Sequence, residues 1–274
     1  MISAPLPSAH ELLAFYLEAG VDCALSDVPV NRLSDAAEKR PAERVARSAP
    51  LQKASLQKAV PAPSRAEIAP TPDAAIESAR ALAPKASTLE ELRSLLEAFD
   101  GCALKATATK LVFADGNPHA KIMFVGEAPG RDEDIQGLPF VGRSGKLLDL
   151  MLAAVGLNRT NVYIANIVPW RPPGNRDPSP QETQMCLPFI RRQIELVDPD
   201  VLVCLGKPSS QAVLELKDGI MKTRGRWNTY DTGKRKIRAM ATFHPAFLLR
   251  QPISKRLAWQ DIRAAKKALD QASA

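Results

Sequence analysis

The stretch Lys121-Ile122-Met123-Phe124-Val125-Gly126-Glu127-Ala128-Pro129-Gly130 decides how the rest of this chain is read. The apolar run Ile122–Val125 suits a strand buried on both faces, and the glycines and proline after it break the chain into a tight turn. One carboxylate, Glu127, stands at the break. In an open α/β sheet, ligands bind beyond the carboxyl ends of the strands, so this turn is a candidate site. The acidic run Arg131-Asp132-Glu133-Asp134 follows, then a second glycine-punctuated loop, Gly137-Leu138-Pro139-Phe140-Val141-Gly142-Arg143-Ser144-Gly145. Only 5% of the chain is aromatic, so Phe140 within that polar loop marks it as part of the same site.

Outward from there, Val162–Val168, Val201–Leu205 and Ala239–Phe243 are further short apolar runs of the parallel-strand type. Amphipathic stretches separate them: Gly145–Val155 after a Ser144 cap, Gln181–Val197 after Ser179-Pro180, and Pro208–Leu216. A last helix is expected from about Lys255 to Gln271. The alternation predicts an α/β fold of three αβα layers, with a central four-stranded, mainly parallel sheet flanked by helices. Trp227–Tyr230 and Arg235–Ala239 flank Asp231-Thr232-Gly233-Lys234, which reads as a hairpin leading into the last strand.

Three parts are expected along the chain. Residues 1–37 form an N-terminal helical segment, since Ala9–Gly20 carries Leu12, Leu13, Tyr16 and Leu17 at helical spacing. Residues 38–86 are dominated by Ala, Pro, Ser, Lys and Glu, which bury too little surface to offset ordering entropy, and read as a flexible linker. Order resumes in a domain over 87–274, where Ser87 or Thr88 caps the helix containing Leu92, Leu95 and Leu96.

A net charge of +7 and a pI near 9.3 favour a polyanionic partner, nucleic acid or an anionic membrane surface. No apolar run is long enough to span a bilayer, and the N-terminus lacks a secretory pattern, so the expected location is the cytoplasm. Cys23, Cys102, Cys186 and Cys204 are scattered singly, without metal-knuckle spacing or a disulfide framework. Neither a Walker A nor a GxGxxG phosphate loop is present, which argues against a nucleotide-binding hydrolase.

If the strands are parallel, Glu127, Asn166 and His244 meet at one rim of the sheet with Phe140 nearby. An Asn amide, one donor and one acceptor, matches the N3–H and O4 edge of uracil or the N1 and N6 edge of adenine. An aromatic face stacks on any base. Arg171, Arg176, Lys222, Arg224, Arg226, Lys234, Arg235, Lys236, Arg250, Lys255 and Arg256 suit phosphates.

These segments resemble the uracil-DNA glycosylase superfamily, most closely its family 4. The resemblance rests on GEAPGRDED (126–134), GLPFVGRSG (137–145), VYIANIVPWRPPGNRDPS (162–179) and ATFHPAFLLRQP (241–252), and covers residues 88 to 270. It implies a monomeric DNA repair enzyme at the nucleoid that everts uracil, hydrolyses its N-glycosidic bond and leaves an abasic site. Under it Glu127, Asn166 and His244 are the catalytic residues. Phe140 stacks on the base, Asn166 pairs with its O4 and N3 edge, and His244 lies near O2. Glu127, with the backbone of Gly126 and Ala128, binds the base or positions water. Glu133 sits against C5, where thymine carries its methyl group. DNA contacts fall to Arg143, Ser144, Arg171, Arg176 and the loop His244–Arg250, including Pro245 and Arg250, with Phe247, Leu248 or Leu249 as the wedge. A non-catalytic binder of uracil-containing or abasic DNA is the alternative.

One departure stands out. The family carries a [4Fe-4S] cluster on four cysteines, which requires four thiolates. Cys102 and Cys186 match two ligand positions, but Phe99 and Trp170 occupy the others. The expectation is therefore no cofactor, with apolar packing in the cluster's place. A second superfamily branch captures its product covalently through a histidine in the loop after the second strand. The equivalent loop here, Arg171–Asp177, has none, so turnover is expected.

Overall fold

The computed structural model describes residues 71–272. The expected helical segment at 1–37 and residues 38–70 of the expected linker lie outside them. Over 71–86 the linker expectation is corrected: a helix, α1 (Pro72–Leu82), forms there after a Thr71 cap and buries Ala75 and Ala79. Its inward face is alanine, which costs little side-chain entropy and lets α1 pack closely on a neighbouring helix, yet leaves no large-apolar signature in the sequence.

Two short helices follow, α2 (Leu89–Ala98) and α3 (Leu104–Thr107). Thr88 caps α2, accepting the Glu91 N–H at 3.1 Å. Next come β1 (Asp115–Gly116), β2 (Ile122–Gly126), α4 (Arg131–Gln136), α5 (Arg143–Ala153) and β3 (Tyr163–Asn166). The chain continues through α6 (Pro180–Val197), β4 (Val201–Leu205), α7 (Lys207–Leu214) and α8 (Ile220–Thr223). It ends in the hairpin β5 (Trp227–Asp231) and β6 (Lys236–Thr242), then α9 (Pro245–Arg250) and α10 (Lys255–Ala272).

The sheet order is β1-β3-β2-β4-β6-β5, with the four central strands parallel and the two edge strands antiparallel to their neighbours. The expected four-stranded parallel core is present, extended by one short strand at each edge. Alternation along each strand splits the core into two layers. Met123, Val125, Tyr163, Ala165, Leu202 and Cys204 face α1, α2 and α6, while Ile122, Phe124, Ile164, Val201 and Val203 face α5 and α10.

Register brings the strand ends into line: Gly126 lies opposite Asn166, and Leu205 opposite Thr242. Helix α6 starts as expected, Ser179 and Glu182 capping each other's backbone amides at 3.2 and 2.7 Å. Helix α5 starts two residues earlier than a Ser144 cap implies: Gly142 is its N-cap, and the Gly142 N–H donates to the Glu133 carboxylate at 2.9 Å.

Candidate active site

Four parallel strands end on one edge, and the connections leaving β2, β3, β4 and β6 enclose a cavity of about 610 Å³. Glu127, Ala128, Glu133, Phe140, Asn166 and His244 all line it. Ser144, Arg176, Phe247 and Arg250 line it as well. These ten residues singled out in the sequence thus line one cavity.

Asn166 closes β3 and is 4% exposed, and its Oδ1 has no hydrogen-bond partner. A buried amide oxygen without a protein partner costs about 1–3 kcal/mol, so Oδ1 stands ready to accept a bond from a ligand or an ordered water. Gly126 packs beneath it. A Cβ there would come within 2.3 Å of Asn166 Oδ1 and 2.6 Å of the Phe140 ring, so only glycine lets these two groups meet over the strand end.

Phe140 holds its ring at a backbone φ of +55°, a left-handed conformation costing a non-glycine residue roughly 1 kcal/mol or more. Its ring centroid is 5.4 Å from the His244 imidazole, tilted by 32°. Glu133 is committed to the same loop. Its Oε1 accepts the Val141 and Gly142 N–H groups at 3.0 and 2.9 Å, and its Oε2 accepts the Gly130 N–H at 3.0 Å.

His244 caps α9, its Nδ1 accepting the Ala246 N–H at 3.1 Å. That bond places the ring proton of the neutral form on Nε2. Burial, with the Arg250 charge added, pushes its pKa down to about 4, so the ring is a neutral N–H donor at pH 7. Glu127 is displaced in the other direction. Burial first, then the Asp177 carboxylate, raises its pKa to about 7.

Several expected DNA contacts are corrected. Leu248 is fully buried against Phe243 and Ala258, and Pro245 is buried too, because 245–250 is a helix with one face turned inward. Neither side chain is presented to a ligand. Leu249 is 37% exposed, and Phe247 stacks on Phe243 at 5.0 Å. Among the basic residues, Arg176 forks onto Glu182 at 2.7 and 2.8 Å, and Arg235 pairs with Asp198 and Asp200. Arg224 is bound to Asp261. These guanidinium groups are committed within the fold. Arg143 is exposed at the start of α5, and Arg171 donates from Nε to Asn175 Oδ1 at 2.7 Å; neither lines the cavity.

Sequence reading missed two charged cavity residues. Lys207 follows β4, so applying the strand-end rule to the third strand would have found it. Asp177, in the loop after β3, had no such signal.

The family's cluster position is a separate place. Cys102, Cys186, Phe99 and Trp170 are all buried in the core layer beneath α1, α2 and α6, and the Phe99 ring lies 5.1 Å from that of Phe189. The interaction between the Cys102 and Cys186 thiols, together with burial, pushes the Cys186 thiol well above its ordinary pKa. Among the described residues no third His, Cys, Asp or Glu joins the pair. Two thiols flanked by packed aromatic rings do not fit a four-thiolate cluster.

An α/β fold with a polar, partly unsatisfied cavity at its strand ends, floored by an aromatic ring, defines a binding site for a small planar heterocycle. Residues 113–263 match the family model described as the uracil DNA glycosylase superfamily, and the chain belongs to that superfamily. It is 45% identical over 155 residues to the type-4 uracil-DNA glycosylase of Archaeoglobus fulgidus, covering 55% of this chain and 78% of the relative. The type-4 enzyme of Thermotoga maritima is 42% identical over 168 residues, 60% of this chain and 86% of its own. That of Saccharolobus solfataricus is 40% identical over 173 residues, 61% and 80% respectively.

Proposed function

We propose that this chain is a monofunctional uracil-DNA glycosylase of base excision repair, hydrolysing the bond between uracil and deoxyribose without a cluster cofactor. Reaching a base inside a duplex requires everting it, at a cost of a few kcal/mol that a mispaired uracil reduces. Phe140 then stacks on the base, and the Asn166 amide pairs with O4 and N3–H. The partnerless Oδ1 of Asn166 carries this reading, since it accepts the one donor that the uracil edge offers.

As the glycosidic bond lengthens, the sugar becomes cationic and the base anionic. His244, neutral and protonated on Nε2, donates to O2, where that negative charge gathers. Glu127, ionised above about pH 7, stabilises the cationic sugar and orients the water. Hydroxide from that water is added at C1′ and its proton leaves with the uracil, giving free base and an abasic site. Glu133, fixed by three amides, walls the edge at C5. An immovable carboxylate at that position rejects thymine by its methyl group, where attraction alone discriminates by only about 1–3 kcal/mol.

Arg143, Arg171 and Arg250 meet phosphates, and Leu249 or Phe247 supports the gap left by the everted nucleotide. The site is built within one chain, which supports action as a monomer. A DNA substrate supports a location at the nucleoid, in the cytoplasm. Loss of the cluster is supported by the donor set of Cys102 and Cys186 alone.

The test is release of labelled uracil from a duplex oligonucleotide by the full chain and by Asn166→Ala. The wild type is expected to turn over and the variant to lose about 10²-fold or more. Tight binding without base release in the wild type would instead establish a non-catalytic binder.

A further inference from the structure

Phe140 is held from two sides, and only one of them belongs to the cavity. The amides that follow it, Val141 and Gly142, are fixed by Glu133, as described above. The carbonyls of Pro139 and Phe140 are gripped by Arg159, a residue in the turn between α5 and β3 that does not line the cavity. Arg159 Nη1 donates to Pro139 O at 3.1 Å, and Nη2 donates to Phe140 O.

The guanidinium is itself fixed in orientation. Its Nε donates to Asp149 Oδ1 on α5 at 2.9 Å, and Nη1 to Asp115 Oδ2 on β1 at 2.5 Å. One planar fork thus ties the first edge strand, a helix and two successive carbonyls together. Beneath the loop, Gly145 leaves no room for movement, since a Cβ there would lie 1.7 Å from Phe140 O. A left-handed backbone at a phenylalanine persists only where the surroundings over-determine it. An anion on the amides and a cation on the carbonyls do that here.

We propose that Arg159 is a positioning residue for uracil excision: its grip on the Pro139 and Phe140 carbonyls sets the ring on which the everted base stacks. This rests on the functional reading above. Arg159 and Asp115 side chains are each 25% exposed and Asp149 is 45% exposed, so these partly buried pairs also contribute to folding, and stability is read beside activity. Lysine cannot replace it, because a single ammonium does not span two carbonyls and two carboxylates.

The experiment compares wild type, Arg159→Gln, Arg159→Lys, Phe140→Ala and the double variant Phe140→Ala/Arg159→Gln as full chains, by uracil release from a duplex. Stability of each is followed by denaturant unfolding. Arg159→Gln and Arg159→Lys are expected to lower kcat about 10- to 100-fold, the penalty of a small misplacement, with KM within about twofold. In the Phe140→Ala background, Arg159→Gln is expected to add less than about twofold. Losses that multiply in the double variant, or wild-type kcat in the single variants, would overturn the proposal. So would a loss matched by the unfolded fraction. Should Arg159→Gln fail to fold, Arg159→Lys, which keeps the charge, carries the same cycle. A wild type that releases no uracil sinks the functional reading; an active wild type with equally active variants sinks this inference alone.

Discussion

Asn166 and Trp170 lie four residues apart on the same connection, yet they belong to regions governed by opposite rules. At the sheet rim, the fold tolerates costs: a buried amide oxygen without a partner, a phenylalanine at positive φ, a carboxylate with its pKa raised to about 7. Around Trp170 nothing comparable remains. Phe99, Trp170, Cys102 and Cys186 are packed into a continuous apolar layer, at the positions where the family resemblance implies four thiolates. A group that serves only to hold neighbouring segments together can be exchanged for hydrophobic packing, because burial is non-directional. Groups that meet a ligand cannot be exchanged in this way, since their value lies in direction.

The contrast makes its largest prediction in the packed region. Trp170→Ala, at a residue 2% exposed, is expected to cost about 3–5 kcal/mol of unfolding free energy by denaturant titration. The fraction that remains folded should excise uracil within a few-fold of the wild-type rate. A folded variant without activity would show that the patch and the rim are not separable.

His244→Ala inverts that pattern. Loss of the donor to uracil O2 is expected to lower kcat about 10²- to 10³-fold. Stability should fall by only about 1 kcal/mol, the worth of the cap bond from Ala246 N–H to Nδ1. A fall in activity no larger than that stability change would remove His244 from the chemistry.

Much of this division was readable before any coordinates. Strands buried on both faces announce themselves as unbroken apolar runs, and the carboxyl-end rule then gathers Glu127, Asn166 and His244 whatever their distance in sequence. What stayed hidden lacks periodicity. Helix α1 escaped because its inward face is Ala75 and Ala79, which resemble a linker in composition. Arg159 escaped because its bonds run to backbone carbonyls 19 and 20 residues away, a relation no spacing rule encodes. Leu248 was grouped with Phe247 and Leu249 as one exposed loop, although three successive residues of a helix point in different directions. Asp177 lay inside a quoted motif without a role of its own, since its importance lies in facing a carboxylate from another motif.

Asp177→Asn gives the mildest effect and the finest resolution of the rim. Glu127 is raised to about 7 by burial first and by the Asp177 charge second. A carboxyl group with a raised pKa is protonated, and unable to assist water, over a wider span of low pH. At pH 6 a group of pKa 7 is ionised only about a tenth of the time. Removing the Asp177 charge stabilises the ionised form, so the acidic limb of kcat/KM should move to lower pH and activity at pH 6 should rise. Burial remains, so the limb stops well short of an ordinary glutamate value. His244, neutral down to about pH 4, does not contribute to that limb. A limb left in place by Asp177→Asn, but abolished by Glu127→Gln, would locate the controlling charge elsewhere. A limb untouched by both would mean that water is activated without Glu127.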